Sequence, residues 1–324
     1  MPEHCVIGID IGGTKALTGV VSADGQVAHR ALRRHEERRS AEQVFDAVVA
    51  AVRDAEDAAG AQAAAVGVGI PSLVDQRTGV AGATMHLPLG RLPVRDLLSE
   101  RLGVPVALDN DATCATVAEH RAGAARGAQT ALLLTIGTGI GGGIVCGGEV
   151  MRGASGAAGE FGHITLDHDG GPCSGDCPNL GCFETLVSGT ALGQRVSEVA
   201  DSQPHSAIAK AAADGRAPDG ALATELAHDG DPVALDLLDQ MGELLGIGIA
   251  NLVNIFNPEV VVVGGGVMAA GELLLTPARA AVAARALSPS RDEVAIVPAE
   301  FGEAAGMVGA AMLAHDRLAT GEST

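Results

Sequence analysis

Three short glycine-rich segments each follow an apolar run of the kind that forms a buried strand. They contain Asp10, Gly12, Gly13, Thr14 and Lys15 in the first, Gly137, Thr138 and Gly139 in the second, and Gly264, Gly265 and Gly266 in the third. Glycine exposes its backbone N–H group and has no side chain to obstruct a nucleotide, so such turns can hold phosphate oxygens. One glycine turn alone is more often a plain hairpin. Three of them, with Thr14, Lys15 and Thr138 as further donors, predict a phosphate-binding site.

An acidic tripeptide, Asp109, Asn110 and Asp111, follows the apolar run 104–108. Polar side chains at strand ends are common in functional sites, and a positioned carboxylate can act as a general base. An isolated Asp or Asn at such a place is more often the N-cap of the following helix. The tripeptide is therefore a candidate for either role.

Six cysteines are present, and three of them cluster at Cys173, Cys177 and Cys182. The N-terminal residues lack the pattern of an export signal, so we expect reduced thiols rather than disulfides, and the cluster indicates a metal. The other three lie in or beside apolar segments, and we expect small core residues there: Cys5, Cys114 and Cys146.

Apolar periodicity and capping residues predict the elements that carry these segments. Residues 5–10 and 17–21 are predicted to form a hairpin around the first glycine turn. Ser40 and Gln43 form a capping box, which predicts a helix to about residue 59. Further strands are predicted at 64–70, 104–108, 130–136, 144–146 and 260–263, further helices at 232–252 and 303–318, and a surface helix pair or a mobile excursion at 201–230.

A strand, a glycine turn with Thr and a second strand occur at 10–15 and again at 135–143. This repetition predicts two halves built alike, and a ligand between them would touch both turns. Gly137, Gly139 and Gly142 also fit the dinucleotide fingerprint of a dehydrogenase, but a strand follows them where that fingerprint needs a helix. The chain contains no Walker sequence.

The composition argues against several classes of protein. The 324 residues carry 21 Lys and Arg against 40 Asp and Glu, a formal net charge of -19, and include no Trp or Tyr. Nucleic acid is therefore an unexpected partner, because its phosphates are repelled and aromatic stacking platforms are missing. No apolar run is long enough for a membrane span, so we expect a cytoplasmic protein.

These motifs resemble those of the ROK family of sugar kinases and related repressors, within the actin-like ATPase superfamily. The resemblance extends over nearly the whole chain and rests on Asp-Ile-Gly-Gly-Thr-Lys at 10–15, Asn-Asp at 110–111, Gly-Thr-Gly at 137–139, Glu-Phe-Gly-His at 160–163, Gly-Cys-Phe-Glu at 181–184, and Asn-Pro-Glu at 257–259 with the glycines at 264–266. It implies an α/β fold of two actin-like ATPase (ribonuclease H-like) domains with a nucleotide and sugar cleft between them. The implied domains are residues 1–115, residues 116–302 with a zinc-binding loop, and a C-terminal helix within 303–324 that packs back on the first domain.

The resemblance also implies the chemistry. In the family the Asn-Asp pair contacts the sugar and supplies the base, so Asp111 is the implied base and Asn110 a sugar ligand. Glu160, His163 and Glu184 are implied to bind sugar hydroxyls, and a carboxylate accepts such hydrogen bonds readily. The glycine segments, with Asp10, are implied to hold ATP, and Mg²⁺ offsets the phosphate charge. The implied partners are a hexose and ATP, and the implied assembly is a homodimer or homotetramer.

Zinc in the family is held by the His of the Glu-x-Gly-His element and by three Cys. Here the implied ligands are His163, Cys173, Cys177 and Cys182, with a C-x3-C spacing in place of the family's C-x-C. Spacings of two to four residues are ordinary for structural zinc, so the four still make a closed tetrahedral set.

Several alternatives remain open at this stage. Glucose is the leading acceptor, but mannose, fructose, allose or an N-acetylated hexosamine would use similar hydroxyl contacts, and polyphosphate is an alternative donor. Ser72 and His86 depart from the family pattern beside the expected sugar pocket. A sugar-responsive repressor would need an N-terminal helix-turn-helix domain, for which the position of Asp10 leaves no room. A regulator without its own DNA-binding domain is the remaining alternative to a kinase.

Overall fold

A computed structural model describes residues 4–13, 15–34, 40–82, 87–175 and 177–321. Within these residues the strands are β1 His4–Ile11, β2 Lys15–Val21, β3 Val27–Arg34, β4 Gln62–Ile70, β5 Val74–Asp75, β6 Val80–Ala81, β7 Val106–Asn110, β8 Thr130–Ile136, β9 Ile140–Cys146, β10 Glu149–Val150, β11 Val260–Gly264 and β12 Ala295–Pro298. The helices are α1 Ala41–Ala59, α2 Val94–Leu102, α3 Asp111–Ala122, α4 Phe183–Leu186, α5 Gly189–Ser202, α6 Ala207–Ala213, α7 Gly220–His228, α8 Pro232–Phe256, α9 Glu272–Arg285, α10 Ser290–Glu293 and α11 Ala305–Thr320. Thr14 and His86 lie outside the described residues.

The chain folds into two compact units that are interleaved in sequence. The first contains residues up to 129 together with 143–159 and those from 299 onwards, and the second contains 130–142 and 160–298. The domain boundaries expected from the sequence stay predictions. Strand β9 begins in the second unit and ends in the first.

The first unit is built on a five-stranded sheet in the order β3-β2-β1-β4-β7. Strands β1, β2 and β3 pair antiparallel, which confirms the predicted hairpin, whereas β1, β4 and β7 run parallel. Parallel neighbours end at the same edge of a sheet. The polar residues that end β1 and β7 therefore lie at one edge.

Helix α1 covers one face of this sheet. Ser40 caps it, and the reciprocal bonds of Ser40 and Gln43 form the predicted capping box. The helix buries Val44, Phe45 and Val48, which belong to the same core cluster as the aliphatic side chains of β1, β4 and β7 on that face.

Helix α11 covers the opposite face, and glycines in the strands permit its close approach. A Cβ atom added at Gly67 would lie 1.8 Å from the Ala310 carbonyl oxygen, and one at Gly8 would lie 2.0 Å from that of Met307. The strands thus carry no side chain at the two places where the helix backbone meets the sheet. Glycine is needed at these two positions because the helix packs directly on them, and not because the strand adopts an unusual backbone conformation.

The second unit contains the parallel strands β8, β11 and β12. The turn at 137–139 joins β8 to β9, so the glycines connect two strands, as expected, and the structural context of a dinucleotide fingerprint is absent from this turn. Residues 201–230 contain α6 and α7, which bury Ile208 and Leu222. In the described part of the chain, no helix combines the length and the apolar character that a membrane span needs.

We predict that Gly67→Ala destabilises the protein by about 3 kcal/mol or more, at the upper end of the usual range for overpacking, because the new methyl group meets backbone rather than a movable side chain. Guanidinium unfolding followed by far-UV circular dichroism measures the change, since the chain has no Trp or Tyr for fluorescence. Gly193→Ala in α5 is the matched control, because the added Cβ would lie 3.9 Å from the nearest atom outside that helix, the Cα of Asp219. Equal stability of the two variants would contradict this account of how α11 packs.

Candidate active site and metal centre

Two carboxylates stand in one row across the first sheet. The register pairs Asp10 of β1 with Gly69 of β4, and Gly69 with Asp109 of β7. Strands lie about 4.8 Å apart, so the Cα atoms of Asp10 and Asp109 are about 10 Å apart with Gly69 between them. The start of α3 packs against the sheet at Gly69. A Cβ at Gly69 would lie 3.5 Å from the Cα atom of Asp111.

Asn110 and Asp111 form the junction between β7 and α3. Asn110 is the N-cap, and its Oδ1 accepts a hydrogen bond of 3.0 Å from the Thr113 backbone N–H. Asp111 is the first helical residue, and its Oδ1 accepts from the Ala112 N–H at 2.8 Å. The capping role and the proposed site therefore coincide, since the cap fixes where α3 begins and hence where Asp111 stands.

Asp10 is a partly buried carboxylate whose surroundings disfavour its charge. Burial, followed by the nearby charge of Asp111, raises its pKa to about 7, and Lys15 opposes the rise. Gly306 of α11 lies against it, because a Cβ there would be 2.6 Å from Oδ2. Such a carboxylate is a fitting ligand for a cation brought in with phosphates.

The first glycine turn continues directly from Asp10. The Gly12 N–H donates to the Lys15 carbonyl at 2.8 Å and closes the turn of the hairpin. Lys15 Nζ lies 3.6 Å from Glu303 Oε1, with both side chains exposed. Thr14 lies outside the described residues, so its expected role stays a prediction.

The other two glycine segments lie side by side in the second unit. Strands β8 and β11 are parallel neighbours, and the register pairs Gly264 with Thr135. Gly265 has a φ of 91°, and a Cβ there would meet the Ile136 carbonyl oxygen at 2.3 Å. Only glycine fits this position. The structure thus brings segments 137–139 and 264–266 together at one edge.

Asn257, Pro258 and Glu259 do not share that edge. Asn257 ends α8 as a left-handed C-cap, with φ of 46°. The Glu259 N–H donates to the Thr130 carbonyl at 2.9 Å, where β8 and β11 begin. This tripeptide therefore lies at the opposite end of β11 from Gly264, and its visible role is to connect a helix to a strand.

Ser72, which departs from the family pattern, directs its hydroxyl towards backbone. Its Oγ donates to the carbonyl oxygens of Leu73 at 3.1 Å and Gly82 at 3.3 Å, and the residue is buried. Its own carbonyl accepts from Asn110 Nδ2 at 3.4 Å. Ser72 thus supports the β7–α3 junction.

His163, Cys173, Cys177 and Cys182 meet, as the resemblance implied. Their potential ligand atoms all lie within 4.8 Å of one another. Cys177 Sγ is 3.8 Å from Cys182 Sγ, and Cys173 Sγ is 3.5 Å from His163 Nδ1. Tetrahedral zinc, with Zn–S bonds of about 2.3 Å and Zn–N bonds of about 2.0 Å, sets these separations at about 3.8 and 3.5 Å. The geometry fits a closed structural zinc site.

The expectation that all three remaining cysteines are core residues is wrong for one of them. Cys114 is buried and Cys5 is half-buried, but Cys146 is exposed. It is the last residue of β9, just before the tight turn to β10, whereas the preceding Ile144 and Val145 are buried. Its exposure therefore comes from its place at the end of the strand.

The two glutamates beside the metal centre differ in exposure. The Glu160 side chain is 46% exposed, with Oε2 at 3.8 Å from His163 Nε2, and the Glu184 side chain is 11% exposed. Burial raises the pKa of Glu160, while His163 lowers it. Glu160 is thus open to a ligand, and His163, whose Nδ1 faces Cys173, presents its other nitrogen to this carboxylate.

Glu184 is held by several groups of the second unit. Its Oε1 accepts from Cys173 Sγ at 3.3 Å and from Ser174 Oγ at 3.1 Å, while Oε2 accepts from the Ile140 N–H at 3.3 Å. Ile140 follows the second glycine turn directly. Glu184 therefore connects the cysteine-containing loop with the turn at 137–139, which the sequence pattern did not indicate.

Comparison with known proteins places these features in a family. A model described as "ROK family" matches residues 6–317. A glucokinase from Streptomyces coelicolor is 34% identical over 316 residues, which cover 96% of this chain and 97% of the relative. The implied family and its α/β actin-like ATPase fold are confirmed.

Solved structures give the same result. The ROK family glucokinase from Streptomyces griseus, crystallised in complex with glucose and AMPPNP, is 36% identical with a TM-score of 0.86, covering 96% of this chain and 99% of that one. The ROK hexokinase from Thermus thermophilus is 36% identical with a TM-score of 0.76, covering 97% of this chain and 99% of that one.

We predict that Asp10→Asn stabilises the ligand-free protein at pH 8 but not near pH 4. With a folded pKa of about 7 against 3.8, the folded state holds the proton more tightly than the unfolded state. Stability is therefore lost as the pH rises from about 4 to 7, by about 4 kcal/mol in all. Guanidinium unfolding at several pH values measures the difference between variant and wild type. Asp239→Asn on an exposed turn of α8 is the control, and a difference that does not grow with pH would refute the assignment.

We predict that Cys182→Ser, or removal of metal by a chelator, lowers the melting temperature and raises the apparent KM for the hexose. Loss of the metal frees the loop that holds Glu184 and the imidazole that faces Glu160. Elemental analysis measures the bound metal, and thermal unfolding and steady-state kinetics measure the two effects, with Cys146→Ser as the matched control. The KM for ATP should change less. Native protein without bound zinc, or unchanged hexose affinity after its removal, would overturn the metal assignment.

Proposed function

Because this chain belongs to the ROK family, we propose that it transfers the terminal phosphate of ATP to a hexose, with glucose the preferred acceptor and glucose 6-phosphate the product. Relatives that match this chain over nearly their whole length support this, since they include a glucokinase and a glucokinase complex with glucose and AMPPNP. The observation that carries the proposal is the placement of Asp111. It stands at the first turn of α3, at the edge where β1 and β7 end.

In this mechanism Asp111 accepts the proton of the sugar hydroxyl as its oxygen attacks the terminal phosphorus. A positioned base contributes about 10² to 10⁴ to the rate of such a step. The N-cap bond of Asn110 holds the backbone of this junction, so the carboxylate need not be ordered when the sugar arrives. Asn110, Glu160, His163 and Glu184 are the proposed ligands of the sugar hydroxyls, and Glu160 is the more exposed of the two glutamates.

The glycine segments and Asp10 are the proposed site of Mg-ATP. The backbone of residues 12–13, 137–139 and 264–266 is proposed to lie against the phosphate oxygens, with the Lys15 side chain as an added cation. The N–H groups of Gly12 and Gly137 close their own turns, so the donors are other N–H groups of these segments. The carboxylate that would face Mg²⁺ is Asp10, whose raised pKa reflects a charge that the ligand-free protein compensates poorly. When bound, Mg²⁺ offsets the charge that builds up on the phosphates.

Zinc, oligomeric state and compartment complete the proposal. Zinc at the four-residue cluster is structural, because three thiolates and an imidazole leave no open position. A homodimer or homotetramer is supported by two exposed apolar side chains of the second unit, Ile255 and Leu287, whose segments meet where the Leu287 N–H donates to Asn254 Oδ1 at 2.8 Å. The cytoplasm is the proposed compartment, since ATP is the proposed donor.

We predict that Asp111→Asn lowers kcat on the preferred hexose by about a hundredfold or more, with sugar binding largely kept, because the amide cannot accept the proton. Coupled release of ADP measures kcat, and calorimetry measures sugar affinity. Asp239→Asn serves as the control for the loss of one charge. Turnover near that of the wild type in a correctly folded Asp111→Asn protein would remove Asp111 as the base.

A further inference from the structure

Asp109, two residues before the proposed base, is a carboxylate buried in a polar network. It is 3% exposed. Its Oδ1 accepts from the Asn110 backbone N–H at 2.9 Å and from Gln76 Nε2 at 2.9 Å, and its Oδ2 accepts from Arg152 Nε at 2.7 Å. Both oxygens are thus engaged, one of them by a guanidinium group, which is the strong form of such a bond.

A buried carboxylate here has a high desolvation cost, so its presence needs an explanation. Burial raises the pKa of Asp109, and the charge and hydrogen bond of Arg152 oppose the rise. Apolar replacement of such a buried pair is often neutral or stabilising. Stability alone therefore does not account for the pair, and its contacts indicate what it does.

Those contacts converge on the end of β7. This strand is the edge of its sheet, and its chain changes from extended at Asn110 to helical at Asp111 within one residue. Asp109 Oδ1 accepts from the N–H of Asn110, the last extended residue before this change. Gln76 Nε2 also donates to the Leu108 carbonyl at 3.1 Å. The Asp109 carboxylate thereby holds the backbone on both sides of its residue, directly at Asn110 and through Gln76 at Leu108.

The partners of Asp109 are themselves held in place. The backbone carbonyl of Arg152 accepts a hydrogen bond of 3.1 Å from the Ala158 N–H. Gly156 packs closely on β5, because a Cβ there would lie 2.1 Å from the Val74 carbonyl oxygen. Segment 152–158 therefore packs on β5, directly before Gln76. The Gln76 carbonyl accepts from Arg95 Nη1 at 2.9 Å.

We propose that Asp109, Arg152 and Gln76 are positioning residues for phosphoryl transfer, which fix the β7–α3 junction and thereby the orientation of the Asp111 carboxylate. This inference rests on the proposed function, because it takes Asp111 as the base. Asp109 and Arg152 act through the junction and take no part in the proton transfer. A displacement of about 1 Å in a reacting group can cost about a hundredfold in rate, which is the scale of effect expected here.

The test compares three variants with the wild type. Asp109→Asn keeps the shape and one acceptor oxygen but removes the charge that holds Arg152. The double variant D109L/R152M removes both charges and the acceptor of the Asn110 N–H. Variant D316L/R121M is the matched control, because Arg121 and Asp316 form a bidentate pair at 2.6 and 2.9 Å on α3 and α11, away from the junction.

We expect Asp109→Asn to lower kcat by about 10- to 100-fold, with the KM for ATP within about twofold of the wild type. D109L/R152M should melt near the wild-type temperature, yet its kcat should be as low as that of Asp109→Asn. Its amide exchange over residues 109–113, measured by mass spectrometry, should be faster than in the wild type. The control should change none of these. If the double variant does not fold, the Asp109→Asn variant tests the proposal by itself. A fall in its kcat without loss of folded protein then supports the proposal.

A D109L/R152M protein with both wild-type stability and wild-type kcat would overturn the proposal, as would amide exchange over 109–113 equal to that of the wild type. Failure of the proposed function gives a different result. In that case the wild type phosphorylates no hexose, or Asp111→Asn retains full turnover, while the exchange measurement still decides whether the network holds the junction.

Discussion

The burial of carboxylates at one edge of the first sheet, together with the repulsion between Asp10 and Asp111, constrains the rest of the site. Asp10 and Asp109 share a row with only Gly69 between them, and the start of α3 brings Asp111 over that gap. Three such groups remain ionised together only where cations or donors compensate them. Asp109 accepts three hydrogen bonds, one of them from the Arg152 guanidinium group. Burial and the charge of Asp111 raise the pKa of Asp10 to about 7, and the Lys15 charge opposes this rise. The charge of Asp109 is thus compensated within the protein, whereas Asp10 is the carboxylate that a bound cation would stabilise.

A second constraint operates in the other unit, where the described residues of 160–182 contain little regular structure. Turn hydrogen bonds shape this segment, such as that from the Leu166 N–H to the Gly181 carbonyl. A metal at the four-residue cluster would add a further cross-link among its side chains. Two separations at this cluster, from Cys177 Sγ to Cys182 Sγ and from Cys173 Sγ to His163 Nδ1, match the edges of a zinc tetrahedron. His163 and Glu184 then connect this centre to the proposed sugar site and to the phosphate turn.

Local patterns in the sequence predicted the parts of the fold that local interactions determine. The first hairpin, the capping box of Ser40 and Gln43, and the strands on both sides of residues 137–139 follow from periodicity, caps and glycines. The family motifs added the metal ligands, which indeed meet. The return of residues 143–159 to the first unit was not predicted, because no periodicity reports which sheet a segment joins.

The positioning network was not predicted for the same reason. Asp109 and Arg152 are 43 residues apart, and neither residue type indicates its partner in the sequence. The exposure of Cys146 depends on a turn after β9, and the position of Asn257 on where α8 ends, about four residues beyond the predicted end. Each was settled by tertiary packing, which overrides local preference.

The proposed reaction of this protein is the phosphorylation of glucose with ATP. The most direct test incubates the purified protein with Mg-ATP and, separately, glucose, mannose, fructose, allose and N-acetylglucosamine, and identifies the products by phosphorus NMR. We expect glucose 6-phosphate to form in equal amount with ADP, and glucose to show the highest kcat/KM of the five sugars. Release of ADP without a sugar phosphate, or no turnover of any hexose by folded, metal-loaded protein, would contradict the account.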